Sequence, residues 1–172
     1  EHLPDALAAL PREVEGFDEI EMLVVDDGSD DRTAEVAEEA GATVVQMPVH
    51  RGLAVAFSSG LRSCLERGAD VIVMVHPDYQ YDPRLIPYFV GFLRANVCDV
   101  MLGSRIRTRR EALEGGMPGY KYLSNRLLTM LENLVLGQNL GDFHSGFRVY
   151  TREVLDTVPY HGNSDDFVFD SE

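Results

Sequence analysis

The 172-residue sequence predicts an α/β fold with a mainly parallel sheet and helices on both of its faces. Two observations predict it. Short apolar runs rich in valine alternate with longer stretches of helical periodicity, as in chains built from strand–helix–strand units. Polar residues follow the end of each apolar run, at the edge where parallel sheets bind their ligands. A chain of this length forms one domain with a sizeable core.

The predicted elements alternate regularly along the chain. Ser29 or Asp30 is expected to cap the first predicted helix, and Gly41 and Gly68 are natural stops for the first two helices. Pro83 suits the first turn of the third. The predicted strands are residues 21–25, 43–47, 71–75 and 99–102, and the predicted helices are residues 33–40, 53–67, 83–96 and 120–136. The glycine- and charge-rich residues 107–119 are expected to form a loop.

The last predicted helix carries an apolar stripe at helical spacing. We expect this stripe to face the core, and the alternative is a surface that docks against a membrane or a partner. Its residues are Tyr120, Leu123, Leu127, Met130, Leu131 and Leu134.

Charge and composition restrict the possible partners. Acidic residues outnumber basic ones by 29 to 15, for a net charge of -14, which argues against a nucleic-acid partner. An island of arginines nevertheless favours an anionic ligand, the alternative being a solvated loop. The two cysteines show no disulfide or metal spacing and no apolar stretch reaches membrane-spanning length, so a cytoplasmic location is expected. The island comprises Arg105, Arg107, Arg109 and Arg110.

A possible metal site follows the third predicted strand. His76, Asp78 and Gln80 are spaced two apart, so in an extended segment their side chains point to the same side. Pro77 favours that geometry, because a proline pushes the preceding residue away from helix. Mg²⁺ and Mn²⁺ commonly bind one or two carboxylates together with substrate phosphates, so a diphosphate would complete the site. The alternative is a turn in which Asp78 caps the following helix.

A second polar cluster follows the first predicted strand. Asp26 and Asp27 could accept hydrogen bonds from a base N–H or from ribose hydroxyls, although Asp-Gly-Ser is also common in turns. The sequence contains neither the G-x-G-x-x-G of dinucleotide-binding folds nor a phosphate-binding G-x-x-x-x-G-K-[ST] loop.

From about Leu23 onward, five stretches in this order resemble family 2 glycosyltransferases. The resemblance implies the GT-A nucleotide-diphospho-sugar transferase fold, and the last three stretches are most similar to the dolichyl-phosphate mannose synthase and polyprenyl-phosphate glycosyltransferase branch. The stretches are Val24-Val25-Asp26-Asp27-Gly28-Ser29-Asp30-Asp31-Arg32-Thr33, His50-Arg51-Gly52-Leu53-Ala54-Val55-Ala56 with Gly60-Leu61, Asp78-Tyr79-Gln80-Tyr81-Asp82-Pro83, Gly103-Ser104-Arg105 and Asp142-Phe143-His144-Ser145-Gly146-Phe147-Arg148.

The resemblance implies a role for each matching residue. Asp26, Asp27, Gly52 and Asp78 would bind the nucleotide sugar. Asp78 and Gln80 would hold Mg²⁺ or Mn²⁺, with His76 at the position where the family usually has the first aspartate of Asp-x-Asp. Catalysis would involve Asp78, Arg105, Asp142 and Arg148, and the acceptor would meet Arg105, Ser145 and Arg148. The helix at 120–136 would lie on the acceptor side, close to a membrane.

The implied activity is inverting transfer of a sugar from GDP-mannose or a UDP-sugar to a polyprenyl or dolichyl phosphate at the cytoplasmic face of a membrane. Three alternatives stay open: transfer to a sugar hydroxyl, with Asp165, Asp166 or Asp170 as the base; a binding module without catalysis; and a nucleotidyltransferase, which lacks a supporting glycine-rich loop. We expect residues 1–172 to form a single GT-A domain that lacks the family's first strand, with its Pro-x-x-Asn-Glu contact, and the C-terminal helix.

Overall fold

The structure is a computed structural model, which describes residues 2–77, 81–104, 118–141, 143 and 145–160, except for the side chain of Lys121. The strands are β1 (Leu23–Asp26), β2 (Thr43–Gln46), β3 (Val71–Met74), β4 (Val100–Leu102) and β5 (Arg148–Thr151). The helices are α1 (Leu3–Ala9), α2 (Thr33–Glu39), α3 (Leu53–Glu66), α4 (Ile86–Arg94), which a 3-10 turn at Pro83–Leu85 precedes, α5 (Gly119–Leu136) and α6 (Arg152–Thr157).

The strands form two hydrogen-bonded groups. β1 and β2 are parallel, with Leu23 opposite Thr43. β5 lies between β3 and β4 and runs antiparallel to both, so β3 and β4 point the same way. The α/β class with parallel strands is therefore confirmed. The antiparallel β5 was not predicted, because Arg148–Thr151 begins and ends with polar residues and lacks the apolar run that marked the other strands.

Helices cover both faces of these sheets, as predicted. Alternate residues of a strand point to opposite faces. Val71 and Val73 pack with α4, in the cluster of Ile86, Val90 and Leu93. Ile72, between those two valines, instead packs against Leu61 of α3 and Leu155 of α6. On β1, Val24 packs with α1 and α2, whereas the side chain of Val25 lies against Gly60 of α3. Helix α3 thus connects the two strand groups.

The helix ends confirm some predictions and correct others. Gly41 and Gly68 have the positive φ of natural stops, at +80° and +91°. The predicted caps Ser29 and Asp30 were wrong, since the N-cap of α2 is Arg32, and the carboxylate of the preceding Asp31 accepts the Thr33 amide at 2.9 Å. At the turn before α4, the N-cap Asp82 accepts the amide of Arg84, while Asp78, the cap considered from the sequence, lies outside the described residues.

The apolar stripe of α5 does not face the core, so the expectation that it would was wrong. Leu123 is 69% exposed and Leu134 80% exposed. Among the described side chains of this helix, the buried one is Thr129, which lies on the opposite side. Periodicity showed which side of the helix is apolar, but the covered side is the polar one. Among the described helices, none is both long and apolar enough to cross a membrane.

Candidate functional site

The reversed direction of β5 brings three chain segments to one edge of the sheet. Arg148, the first residue of β5, pairs with Met74 at the end of β3 and with Leu102 at the end of β4. The segments that follow β3 and β4 therefore meet the segment that precedes β5. This edge lies at the carboxyl ends of β3 and β4, where α/β proteins bind their ligands.

His76 packs directly against this junction. Its imidazole is partly buried, and its ring lies so close to Gly146 that a Cβ at Gly146 would be 2.8 Å from Nε2. Only glycine leaves room for the ring in this position. The hydroxyl of Tyr81 accepts the Gly146 amide at 2.8 Å, and the Tyr81 ring meets Phe147 edge to face. Tyr81 and His76 thus both contact the turn before β5, which is formed by residues 145–147.

The predicted acceptor residues Ser145 and Arg148 both stabilise this turn. The Ser145 side chain is fully buried, and its hydroxyl accepts the Phe147 amide at 3.2 Å. The Arg148 guanidinium is 4% exposed and donates to the carbonyls of Ser145, at 2.7 Å, and Phe143, at 3.0 Å. Their direct contact with an acceptor stays a prediction.

Asp26 carries a buried carboxylate oxygen at the carboxyl end of β1. The residue is 2% exposed, and its Oδ1 accepts the Ser29 amide at 3.0 Å. Its Oδ2 has no hydrogen-bond partner within the described ranges. A buried acceptor without a donor is costly, so this atom suits a donor group supplied by a ligand. That geometry agrees with the predicted contact to a nucleoside.

Asp27, the other predicted nucleoside contact, anchors the neighbouring loop. Its two carboxylate oxygens accept the amides of Arg51 and Gly52, each at 2.8 Å, and His50 Nδ1 lies 2.8 Å from Oδ2. Gly28 allows the segment after β1 to approach the segment before α3, because a Cβ at Gly28 would lie 2.7 Å from the His50 amide nitrogen. Asp27 therefore fixes the segment before α3, which includes the predicted ligand-binding residue Gly52.

Four predicted site residues lie outside the described residues: Asp78, Gln80, Arg105 and Asp142. Their geometry, including the convergence of His76, Asp78 and Gln80, stays a prediction. Within the ranges that the structure describes, no three His, Cys, Asp or Glu side chains form a cluster that could hold a metal ion. The predicted metal site needs residues beyond these ranges.

Sequence reasoning missed the roles of Tyr81, Gly103 and Gly146. A Cβ at Gly103 would lie 2.8 Å from the Phe147 ring, while the Gly103 amide donates to the Phe147 carbonyl at 2.8 Å. All three residues belong to the stretches that resemble the family, and this was the sign in the sequence that they have a role. Their roles depend on contacts between segments far apart in sequence, such as the 65 residues that separate Tyr81 from Gly146.

Tyr81→Phe is expected to lower the free energy of unfolding by about 1–3 kcal/mol, because the buried Gly146 amide loses its acceptor while the ring contact stays. Chemical denaturation measures the change. Tyr88→Phe is the matched control, since Tyr88 is 70% exposed on α4. Equal stability of the two variants would show that the Tyr81 hydroxyl does not hold the turn.

The chain resembles known proteins along nearly all of its described length. The model of the family "Glycosyl transferase family 2" matches residues 1–158. A low-salt glycan biosynthesis hexosyltransferase of Haloferax volcanii is 36% identical over 137 residues, which cover 79% of this chain and 32% of the relative. A dolichyl-phosphate hexose transferase of the same organism is 31% identical over 159 residues, covering 92% and 64%. The crystal structure of glucosyl-3-phosphoglycerate synthase from Mycobacterium tuberculosis with Mn²⁺ and UDP-glucose has a TM-score of 0.67 and 26% identity, covering 92% and 54%.

The fold is thus that of the GT-A nucleotide-diphospho-sugar transferases, as predicted. The chain belongs to glycosyl transferase family 2, which confirms the resemblance drawn from the motifs. It spans about one third to two thirds of the length of the two curated relatives.

Proposed function

We propose that this chain forms the donor-binding part of an inverting glycosyltransferase that moves a sugar from a nucleotide diphosphate to a polyprenyl or dolichyl phosphate. The observation that carries the donor side is the buried Asp26 Oδ2, which lies at the carboxyl end of β1 without a donor among the described residues. On the acceptor side, the support is the printed name of the Haloferax volcanii relative, a dolichyl-phosphate hexose transferase.

The residues of the site would have distinct roles. Asp26 would accept a hydrogen bond from the nucleoside, while Asp27 would hold the loop that contains Gly52. Arg148 and Ser145 would fix the turn before β5, and thereby the edge where the sugar and the acceptor meet. Arg105 and Arg148 are the proposed phosphate contacts, and Asp142 is proposed to line the same pocket.

A divalent cation is proposed to bind at His76, Asp78 and Gln80. Of the three proposed ligands, His76 lies within the described residues. It supplies an imidazole nitrogen just after β3, and a nitrogen ligand favours a transition ion such as Mn²⁺ over Mg²⁺. When bound, the cation would stabilise the negative charge that develops on the leaving diphosphate. We therefore expect Mn²⁺ to support transfer better than Mg²⁺.

The acceptor determines whether a base is required. A lipid phosphate is already an anion at neutral pH, so arginines need only position it. A sugar hydroxyl would need a base within hydrogen-bond reach, and the predicted candidates Asp165, Asp166 and Asp170 lie outside the described residues. The arginines of residues 105–110 favour the phosphate. The cytoplasmic location stays a prediction.

Calorimetry with a panel of UDP- and GDP-sugars, with and without Mn²⁺, tests the donor site. It is paired with a transfer assay that uses a short-chain polyprenyl phosphate in detergent. We expect one donor to bind with Mn²⁺, and chelation of the metal to reduce transfer by tenfold or more.

Other outcomes would favour the alternatives. Binding without transfer or hydrolysis would indicate a nucleotide-sugar-binding module, while transfer to a free sugar but not to the lipid phosphate would indicate a hydroxyl acceptor. No binding of any nucleotide sugar would contradict the proposal.

A further inference from the structure

His50 lies just beyond β2, beside the proposed donor site. β1 and β2 run parallel, and the amide of Met47 donates to the Asp26 carbonyl at 2.8 Å, so both strands end at the same edge. After Met47 the chain reaches His50, whose Nδ1 lies 2.8 Å from Oδ2 of Asp27. The residue before Asp27 is Asp26, which carries the unpartnered carboxylate oxygen. The imidazole of His50 is therefore next to the residues proposed to meet the nucleoside.

The contacts of Nδ1 determine which ring nitrogen of His50 can gain or lose a proton. Nδ1 has two neighbours, Asp27 Oδ2 at 2.8 Å and the Asp27 carbonyl oxygen at 3.3 Å, and both are acceptors. Nδ1 must therefore carry a hydrogen whether the ring is neutral or charged. The proton that the ring exchanges is consequently the one on Nε2. Because the His50 side chain is 79% exposed, that proton can be taken up from solvent when a ligand arrives.

The part of the chain that contains His50 is strongly acidic. Residues 1–52 contain 14 acidic and three basic residues. Arg12 bonds the C-cap of α2 and Arg32 pairs with glutamates of α2, so Arg51 is the basic residue of this part that adjoins His50. Helix α3 contributes no acidic residue from its first turn. The segment that packs against His50 carries the carboxylates of Asp26, Asp27, Asp30 and Asp31. An anionic ligand at this edge therefore meets mostly like charge.

We propose that His50 takes up a proton on Nε2 when a nucleotide sugar binds, so that its imidazolium offsets the negative charge of the diphosphate. The diphosphate of a nucleotide sugar is a diester and stays anionic near neutral pH, whereas histidine changes its charge between about pH 5 and about pH 8. A nearby anion favours the charged form of the imidazole. Since binding consumes a proton, the affinity for the nucleotide sugar falls as the pH rises. This inference rests on the proposed function and adds to it a residue that links donor binding to pH.

A purely structural role is the alternative explanation of the same contact. Oδ2 of Asp27 also accepts the Gly52 amide at 2.8 Å, so the imidazole could serve only to hold Asp27 at the start of α3. A neutral ring would do this as a charged one does, because Nδ1 carries a hydrogen in both forms. The two roles therefore differ in whether donor binding depends on pH.

Calorimetry with the nucleotide sugars of the donor panel, UDP-glucose and GDP-mannose among them, tests the proposal in the presence of Mn²⁺. Titrations at about pH 7 in PIPES and in Tris, whose enthalpies of ionisation differ, give the number of protons taken up. For the nucleotide sugar that binds, we expect uptake of roughly 0.3–0.7 protons. We also expect its affinity to be roughly three- to tenfold lower at about pH 8 than at about pH 6.

Two substitutions separate the charge of His50 from its hydrogen bond, and the exposure of the side chain allows both variants to fold. His50→Gln keeps an N–H donor without a titrating group, so its affinity at about pH 6 should fall to the wild-type value at about pH 8. His50→Arg stays charged and should bind at about pH 8 as tightly as the wild type does at about pH 6. His2→Gln is the matched control, because His2 is exposed and its side chain makes no capping hydrogen bond at α1. It should take up protons as the wild type does.

The comparison isolates His50, because the other histidines of the chain, including His76, are unchanged in His50→Gln. Equal proton uptake by the wild type and His50→Gln would overturn the proposal. A loss of affinity in His50→Gln that is the same at about pH 6 and about pH 8 would also overturn it, in favour of the structural role. In both cases the nucleotide sugar still binds, so the proposed function would stand. Failure of every nucleotide sugar to bind would instead contradict the proposed function, and this inference with it.

Discussion

Gly146→Ala is expected to reduce transfer and Mn²⁺ affinity by roughly 10- to 100-fold, the range found when a group that orients a metal ligand is altered. The added Cβ would lie 2.8 Å from Nε2 of His76 and 3.0 Å from two ring carbons. Since the imidazole is the movable partner, it would rotate away, and the protein would stay folded with its proposed ligand displaced. Calorimetric titration with Mn²⁺ and the initial rate of transfer measure the two effects.

A matched control and a compensating variant accompany this prediction. Gly91→Ala places the same methyl group on α4, where nothing lies within 4 Å, and should leave both quantities unchanged. His76→Asp shortens the side chain that would clash, so the double variant Gly146→Ala/His76→Asp should recover most of the Mn²⁺ affinity. If Gly146→Ala alone binds Mn²⁺ as tightly as the wild type, His76 does not contribute to the metal site.

Asp26→Asn is expected to weaken nucleotide-sugar binding by roughly 10- to 100-fold, because a hydrogen bond to a charged group is worth about 1.5–3 kcal/mol. The variant keeps Oδ1 as the acceptor of the Ser29 amide, so the turn after β1 is preserved. It replaces the unpartnered Oδ2 with an amide nitrogen, which would face the donor group of the nucleoside. Calorimetry with the donor identified in the panel gives the dissociation constant.

The same substitution nearby provides the comparison. Asp30→Asn changes an exposed carboxylate on the same loop and should bind the donor as the wild type does. Asp27→Asn should also weaken binding, but with a loss of stability, since Asp27 accepts the amides of Arg51 and Gly52 with separate oxygens. An unchanged donor affinity in Asp26→Asn would mean that Oδ2 does not meet the ligand.

These two predictions concern atoms whose surroundings the sequence could not reveal. The positions that follow the predicted strands identified Asp26 and His76, because polar residues there are expected at the ligand-binding edge. They did not distinguish the unpartnered Asp26 from Asp27, which holds the neighbouring loop. That difference depends on the approach of residues 50–52, about 25 positions along the chain.

The sequence by itself determined the elements from β1 to α5 and the class of fold. Alternating valine-rich runs and helical periods specify local structure. Glycines with positive φ, such as Gly41 and Gly68, end helices through their own backbone conformation, independently of contacts with distant parts of the chain. The ordered motif stretches also determined the family. These features are local, so they can be read without knowledge of distant contacts.

Only the tertiary structure decided where β5 lies and which side of α5 is covered. The insertion of β5 between β3 and β4 makes Tyr81, His76 and Gly146 neighbours, although no local pattern connects them. For α5, periodicity fixed the apolar side, but burial depends on which surfaces the neighbouring chain segments offer. In this protein they cover Thr129 and leave Leu134 exposed.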